Sequence, residues 1–215
     1  MIRFFKIFCI TIISTLVIST ANFAETMPTF TNDEIKSMLL PPPTSGYEWV
    51  IYRNCAFLKP QHWNQHTLPD IPAKKIIGAI STSPETFSES KQFETGFTAQ
   101  VVANFKATNG LLPSKGAILM LKQITDQRTE KDVLVFDTKP PQSGSTSFIM
   151  RYRDAPEGKT PLVIHKTLIA NDAQDTLHIF TFESPEKNWD ESWKIGTPII
   201  ANIAVIPFLP ATEPQ

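Results

Sequence analysis

Cysteine and glycine are scarce in this chain. Of 215 residues, two are cysteine and eight are glycine. Cys9 lies in the apolar N-terminal segment, so Cys55 is the single cysteine of the remaining chain, and a disulfide framework within that part is excluded. We predict that Cys55 is a buried thiol that packs as a small apolar group, and not a reactive or intermolecular one. The few glycines form no phosphate-binding loop of the G-x-x-x-x-G-K type.

An excess of charge of one sign is also absent. The chain has 20 lysine and arginine residues against 21 aspartate and glutamate residues. Basic runs that would bind nucleic acid or an anionic membrane surface are missing. The G-x-S-x-G and H-E-x-x-H motifs of common hydrolases are missing as well. These absences favour a protein that is not an enzyme, needs no cofactor and does not bind nucleic acid.

The first 24 residues have the order of a secretory signal peptide. Arg3 and Lys6 precede the apolar run IFCITIISTLVI, and the small residues of STANFA follow it. Cleavage after Ala21 and cleavage after Ala24 both remain open. We expect a secreted or periplasmic protein with no stable membrane insertion after cleavage, because the apolar run is short for a spanning helix; a retained anchor is the alternative. Cys9 lies too early to be lipidated after cleavage, so a lipoprotein is not expected.

Three further segments follow the signal peptide. Residues 25–46 are predicted to form a leader helix and a stiff connector, in which Thr31 and Glu34 have capping-box spacing and PPP at 41–43 ends the helix. Ile35, Met38 and Leu39 share one face of that helix. Residues 47–206 are predicted to be the main domain, and residues 207–215 a proline-rich tail.

Within the main domain, strand patterns outnumber helix patterns. The single long helix pattern before the C-terminal region runs from Ser114, its predicted cap, to about Gln127. Strands are predicted at 47–60 (one or two), 74–82, 97–105, 133–137, 146–154, 161–172 and 175–184. The short polar turns between the last strands favour an antiparallel meander. The fold class is therefore predicted to be α+β, an antiparallel sheet flanked by helices with an N-terminal helical appendage.

The last helix has the strongest signals. Ser184 is its predicted cap and Pro185 its first residue. Trp189 and Trp193 lie one turn apart and are expected to pack on the sheet. Pro198 predicts a kink or a break, because a proline ring clashes with the carbonyl four residues earlier.

The chain resembles the PsbP-like superfamily, which includes PsbP proteins, bacterial DcrB-type envelope proteins and a Ran-binding branch. The resemblance rests on FLKPQHW at 57–63, SPETF at 83–87 and NWDESWKIGTPIIANI at 188–203, and it covers roughly residues 47–206. It implies an α/β/α sandwich and a protein that acts mostly by binding other proteins. These motifs indicate packing, and the resemblance transfers no functional residue by position.

FLKPQHWNQH contains the strongest lead to metal chemistry. His62 and His66 are four residues apart, so a helical turn after Pro60 would place both rings on one face. Pro69 and Pro72 oppose a helix, and a third ligand would have to be Asp70, Cys55 or a distant histidine. We therefore predict a strand end with Trp63 as its packing centre, and keep metal binding as the alternative.

His165 and His178 lie on the strands of the last hairpin. A two-residue turn at Asn171–Asp172 would place them directly opposite one another, whereas a turn at Ala173–Gln174 would separate them. The sequence leaves this register open. The favoured interpretation is a pair of packing or solvent-facing histidines.

Arg151 and Arg153 alternate with Tyr152 in a strand, so both guanidinium groups leave the same face. Lys166 is predicted to lie on that surface too. Together they are candidates for binding an acidic patch of a partner protein, and a solvated face is the more common role of such residues.

The function that these patterns favour is a secreted or periplasmic, non-enzymatic binding or assembly protein that acts through protein–protein contacts. One alternative is a metal-binding protein or metal-dependent hydrolase using His62 and His66. Another is an envelope-stress or host-facing interaction protein whose helix at 31–40 engages the partner.

Overall fold

A computed structural model describes residues 31–71, 77–87, 93–142, 144–206 and 209 of the protein. The predicted signal peptide at 1–24 lies outside the described residues, as does almost all of the predicted tail at 207–215. Both assignments stay predictions.

The described residues form four helices and ten strands. The helices are α1 Asn32–Leu39, α2 Phe105–Asn109, α3 Pro113–Asp126 and α4 Trp189–Ala201. The strands are β1 Tyr47–Tyr52, β2 Cys55–Pro60, β3 Asn64–Leu68, β4 Ala79–Ser83, β5 Gly96–Ala103, β6 Val133–Gln142, β7 Ser145–Asp154, β8 Leu162–Asn171, β9 Thr176–Pro185 and β10 Ala204–Val205. None of the helices in the described part of the chain combines the length and the apolar composition that a membrane-spanning helix needs.

Seven strands form one antiparallel sheet in the order β3-β4-β5-β9-β8-β7-β6. A second, three-stranded sheet has the order β1-β2-β10 and is also antiparallel. Helix α3 packs on one face of the large sheet through Ala117 and Leu121. Helix α4 and the small sheet pack on the other face through Trp189, Ile199 and Phe57. The predicted α+β fold, an antiparallel sheet flanked by helices, is confirmed.

Strand β9 lies at the centre of the large sheet, and its alternate side chains pack into the two cores on opposite faces of that sheet. Phe180 and Phe182 belong to the core shared with α4 and the small sheet, whereas Leu177 and Ile179 belong to the core under α3. Both faces of a central strand are covered in such a layered fold, so its sequence is almost continuously apolar or small. This explains the pattern TLHIFTF.

Strand β2 is buried at all six of its positions because it too is covered on both faces. Cys55 and Phe57 face the large sheet. Ala56 and Leu58 pack on the opposite side with Ile35 of helix α1. The N-terminal helix therefore packs on the small sheet, but only Ile35 of its predicted apolar face is buried, since Met38 is 67% and Leu39 47% exposed.

The start of α3 differs from the prediction. Leu112 occupies the N-cap position and Pro113 the first turn, so Ser114 is not the cap. Instead the Asp172 carboxylate, from the loop after β8, accepts hydrogen bonds from the Ser114 amide at 2.8 Å and from its hydroxyl at 2.6 Å. A carboxylate at this end also interacts favourably with the helix dipole. No local sequence pattern predicts that a residue 58 positions away will cap the helix.

The start of α4 also differs. Strand β9 extends to Pro185, and a 3-10 turn over Glu186–Asn188 separates it from the helix, so neither Ser184 nor Pro185 has its predicted role. Ser184 remains a sheet residue because the pairing with β8 continues to the end of the strand. Its hydroxyl donates to Ser192 at 2.8 Å and thereby connects the strand to the first turns of the helix.

Helix α4 runs through Pro198, so the predicted break is absent, and the kink that was its alternative stays a prediction. An interior proline costs about 3 kcal/mol or more in a helix, but both halves of α4 pack against the same core. Ile199 is fully buried there. Gly196 is an interior residue of the helix and not its end, and its Cα faces the Phe182 ring. A Cβ at this position would lie 2.8 Å from Phe182 Cζ. The packing of both halves outweighs the local cost of the proline.

We expect Gly196→Ala to destabilise the protein by about 1–3 kcal/mol, because the added methyl overlaps the Phe182 ring in a packed core. Inside a helix, alanine is otherwise favoured over glycine by about 1 kcal/mol. Whether the free energy of unfolding falls or rises therefore tests the contact with the Phe182 ring. Urea unfolding measures it, with the exposed Lys194→Ala as the control expected to change little. A stabilised Gly196→Ala protein would contradict the packing described above.

Candidate functional site

FLKPQHWNQH forms the end of β2, a turn and the start of β3. The Trp63 amide donates to the Pro60 carbonyl at 3.0 Å, which closes the turn. Trp63 is 3% exposed and lies in the main core, as predicted. His62 is exposed in the turn and His66 is half-buried in β3. Since this stretch is not helical, the two imidazoles do not share a helical face.

The remaining ligands proposed for a metal are not available near these histidines. The described residues contain no group of three or more His, Cys, Asp or Glu placed to hold a metal ion. Cys55 is fully buried, its thiol donates to the Tyr52 carbonyl at 3.1 Å, and burial raises its pKa to about 12. Asp70 forms an ion pair with Arg53. The metal hypothesis therefore gains no support from the geometry.

The second histidine pair is separated in the last hairpin. Asn171 pairs with Thr176, so the loop is centred on Ala173–Gln174 and His165 lies opposite Phe182. Both rings face the α4 side of the sheet. His178 is completely buried, with its Nε2 2.9 Å from Asn54 Oδ1 in the turn between β1 and β2. This contact connects the small sheet to the large one.

Lys166 and Arg153 do not present free positive charge on one surface. Lys166 pairs with Met150 and so lies on the α3 side of the sheet, opposite the predicted surface. Its ammonium donates to Thr181 Oγ1 at 2.9 Å. Arg153 is on the α4 side, where its Nε donates to both carboxylate oxygens of Glu186 at 2.8 Å, and these bonds raise the pKa of its guanidinium.

Arg151 differs from both. Its guanidinium lies over the Trp193 ring at 4.1 Å and over the Trp189 ring at 5.0 Å. The two tryptophan rings are themselves stacked, with centroids 5.1 Å apart. Among the described residues, Arg151 has no carboxylate partner, and burial lowers its pKa. A half-buried cation held by aromatic faces remains able to bind an anion.

A groove of about 510 Å³ lies between α3 and the edge of the large sheet. Its lining residues are mostly apolar: Ile118, Leu121, Lys122, Thr125, Val133, Phe136, Thr138 and Phe148. Phe136 is 58% exposed and Ile118 is 45% exposed. Leu134, which follows the lining residue Val133 in β6, is 50% exposed. Contiguous exposed apolar side chains on a soluble protein typically indicate a binding surface.

The two edges of the large sheet differ in character. Strand β3 forms one edge with the polar sequence NQHTL. Strand β6 forms the other edge and starts with the apolar run VLVF. Its pairing with β7 is regular from Val135 to Lys139 and irregular on either side. An edge strand presents unpaired backbone groups to an incoming strand, so this regular segment of β6 is the better-suited edge.

The sequence predicted the strand at 133–137 but not the groove. Exposed apolar residues in a strand have the same sequence pattern as buried ones, so the pattern VLVF predicts a buried strand. One signal was available in the sequence: β6 contains Pro140 and Pro141, and prolines within a sheet are confined mainly to edge strands.

Comparison with solved structures finds proteins of similar fold. The PsbP protein of Synechocystis sp. PCC 6803 is 12% identical, with a TM-score of 0.45, over 75% of this chain and 94% of its own. The Ran-binding protein Mog1p of Saccharomyces cerevisiae is 9% identical, with a TM-score of 0.42, over 74% and 95%. A Pseudomonas aeruginosa protein of unknown function, a putative regulator, is 14% identical, with a TM-score of 0.30, over 72% and 95%.

No protein-family model and no curated protein matches the chain. The proteins found by the structure comparison include a PsbP protein and a Ran-binding protein, which are two of the groups named in the resemblance stated from the sequence. At these identities the likeness concerns the fold alone.

The two buried histidines predict a loss of stability in mild acid. Burial lowers the pKa of His178 to about 4, and burial together with Arg151 lowers that of His165 to about 4. An unfolded histidine titrates near 6.5, so between these values the unfolded chain binds more protons than the folded one, and stability falls as pH is lowered. Each histidine is expected to remove about 2 kcal/mol at pH 5 relative to pH 7.

Thermal unfolding at pH 7 and pH 5 measures this effect. His178→Gln should show a smaller drop between the two pH values than the unaltered protein, whatever its stability at pH 7. The control, His62→Gln, replaces an exposed histidine and should keep the full drop. An equal drop in His178→Gln would show that the buried imidazole does not contribute.

Proposed function

We propose that this protein is an exported, non-enzymatic binding protein that acts through protein–protein contacts, and that its partner binds in the groove between α3 and β6. The observation that carries the proposal is the exposure of Phe136 and Ile118, which line a groove of about 510 Å³ at a sheet edge. Burying a side chain such as phenylalanine or leucine contributes about 1.5–3 kcal/mol, so covering these residues supplies a substantial driving force for association.

The occupant that fits this edge is an extended segment of a partner protein with apolar residues at alternate positions. A strand added to β6 pairs with backbone groups that β7 leaves free. Its alternate side chains then face the same side as Phe136 and Thr138, which line the groove. The regular pairing from Val135 to Lys139 limits the added strand to about five residues, since bulges disturb the ladder beyond them.

Selection of peptides from a random display library on the purified protein tests the occupant. We expect selected peptides with apolar residues at alternate positions, and an affinity at least tenfold weaker for Phe136→Ser, because contacts in a groove centre carry most binding energy. Met38→Ser is the matched control: it removes a similarly exposed apolar side chain on α1 and should bind normally.

Methylation of the peptide backbone separates strand pairing from apolar contact alone. N-methyl groups on one alternate set of peptide amides should abolish binding, and those on the other set should be tolerated, because only every second amide points to β6. Peptides without alternation that bind Phe136→Ser as tightly as the unaltered protein would contradict the proposal.

Export is supported by the charged, apolar and small-residue order of the first 24 residues. We expect the mature protein, isolated after expression in a Gram-negative host, to be found in the periplasm and to begin at Asn22 or Glu25. N-terminal sequencing measures this directly. A chain in the cytoplasm that retains residues 1–20 would contradict export.

A further inference from the structure

The α4 side of the large sheet contains an arginine whose charge is not balanced. Arg151 is half-buried, and its Nε is buried without a hydrogen-bond partner among the described residues. Arg153, two residues along the same strand and on the same face, is neutralised by Glu186 and lies 3.9 Å from Asp132. Buried or half-buried charges are normally paired, so the lack of a carboxylate beside Arg151 requires an explanation.

The surroundings of Arg151 hold its guanidinium in one place. The stacked rings of Trp189 and Trp193 cover it on one side. These rings are fixed in turn by edge-on contacts with Phe182, at 5.8 Å and 5.7 Å. A planar group fixed by packing loses little freedom when it binds, and a fixed guanidinium fork matches a carboxylate bidentately.

His165 adds a second polar group to the same place. It pairs with Arg151 across the strands, is 5% exposed, and its ring lies 4.8 Å from the Trp193 ring. Its Nδ1 is buried and has no hydrogen-bond partner in the described part of the chain, whereas Nε2 lies 3.4 Å from the Thr167 hydroxyl. Arg151 and His165 therefore each have a nitrogen atom without a hydrogen-bond partner among the described residues, beside the same pair of tryptophans.

We propose that Arg151, flanked by Trp193 and His165, is a binding site for a single carboxylate group. The charge balance favours a monoanion, because on this strand face Arg151 has no carboxylate partner among the described residues and Arg153 is already paired with Glu186. A phosphate dianion would bring two negative charges to one positive charge. The flat tryptophan faces also accommodate the apolar part of an organic acid.

This site is separate from the groove at β6. Arg151 faces the α4 side of β7, whereas Phe136 and Phe148 face the α3 side. The carboxylate site and the proposed strand binding can therefore be tested independently, and Phe136→Ser should leave the affinity for a carboxylate unchanged.

Nuclear magnetic resonance of the ¹⁵N-labelled protein tests the site. Two probes are titrated at constant ionic strength: sodium propionate, and the blocked peptide acetyl-Gly-Glu-Gly-amide, with sodium chloride as the reference salt. We expect saturable shifts of the Arg151 Nε and of the Trp189 and Trp193 indole signals with a carboxylate probe but not with chloride. Tighter binding of propionate identifies a small acid as the ligand, and tighter binding of the peptide identifies an acidic side chain.

Three variants decide which arginine is responsible. Arg151→Gln should weaken binding at least tenfold, and Arg151→Lys, which keeps the charge and loses the fork, should weaken it less. Arg153→Gln is the control on the same strand face and should bind as the unaltered protein does. If Arg151→Gln is poorly folded, the test rests on Arg151→Lys, which should bind the carboxylate probe more weakly than the unaltered protein does. Equal shifts with chloride, unchanged affinity in both Arg151 variants, or no shift with either probe would overturn the proposal.

Discussion

The structure depends on an aromatic layer that joins the two sheets. Phe57 of the small sheet lies 4.7 Å from Phe97 of β5, which stacks at 6.2 Å on Phe180 of β9. All three are fully buried, and burial of each contributes about 1.5–3 kcal/mol. Because no disulfide is present in the described part of the chain, this packing is the main tie between the layers. The buried contact between His178 and Asn54 fixes the orientation of that tie.

The two faces of the large sheet are covered unequally. Helix α4 and the small sheet form an extensive cover on one face, and helix α1 in turn covers the small sheet. On the other face, the single long helix α3 packs over β7, β8 and β9 and leaves Phe136 of the edge strand β6 exposed. An apolar edge of this kind is a risk for aggregation unless a partner covers it. The same imbalance that exposes the edge therefore makes it suitable for binding.

Much of the fold followed from local patterns. Strands β7, β8 and β9 and helix α3 are present where turn residues and apolar periodicity predicted them. The errors occur where distant residues intervene. Asp172 replaces a local cap at α3, and the packing of both halves of α4 against the main core keeps that helix continuous through Pro198. Such contacts depend on residues far apart in sequence, which no local pattern contains.

The candidate sites were less predictable for the same reason. Alternation placed Arg151 and Arg153 on one face correctly, but whether each has a counter-ion depends on Glu186 and the tryptophans of α4. Lys166 was misplaced because its face depends on the register between β7 and β8. The exposure of Phe136 depends on which strands α3 covers, and the sequence of a single strand does not contain that information.

Amide hydrogen exchange along β6 tests the central claim that this edge is the binding surface. In the free protein, the outward-facing amides between Val135 and Lys139 should exchange faster than those of the central strand β8, because they lack a neighbouring strand. With a selected peptide bound, these alternate amides should become protected while the polar edge β3 is unchanged. Protection of β3 or α1, with β6 exchanging as in the free protein, would contradict the account.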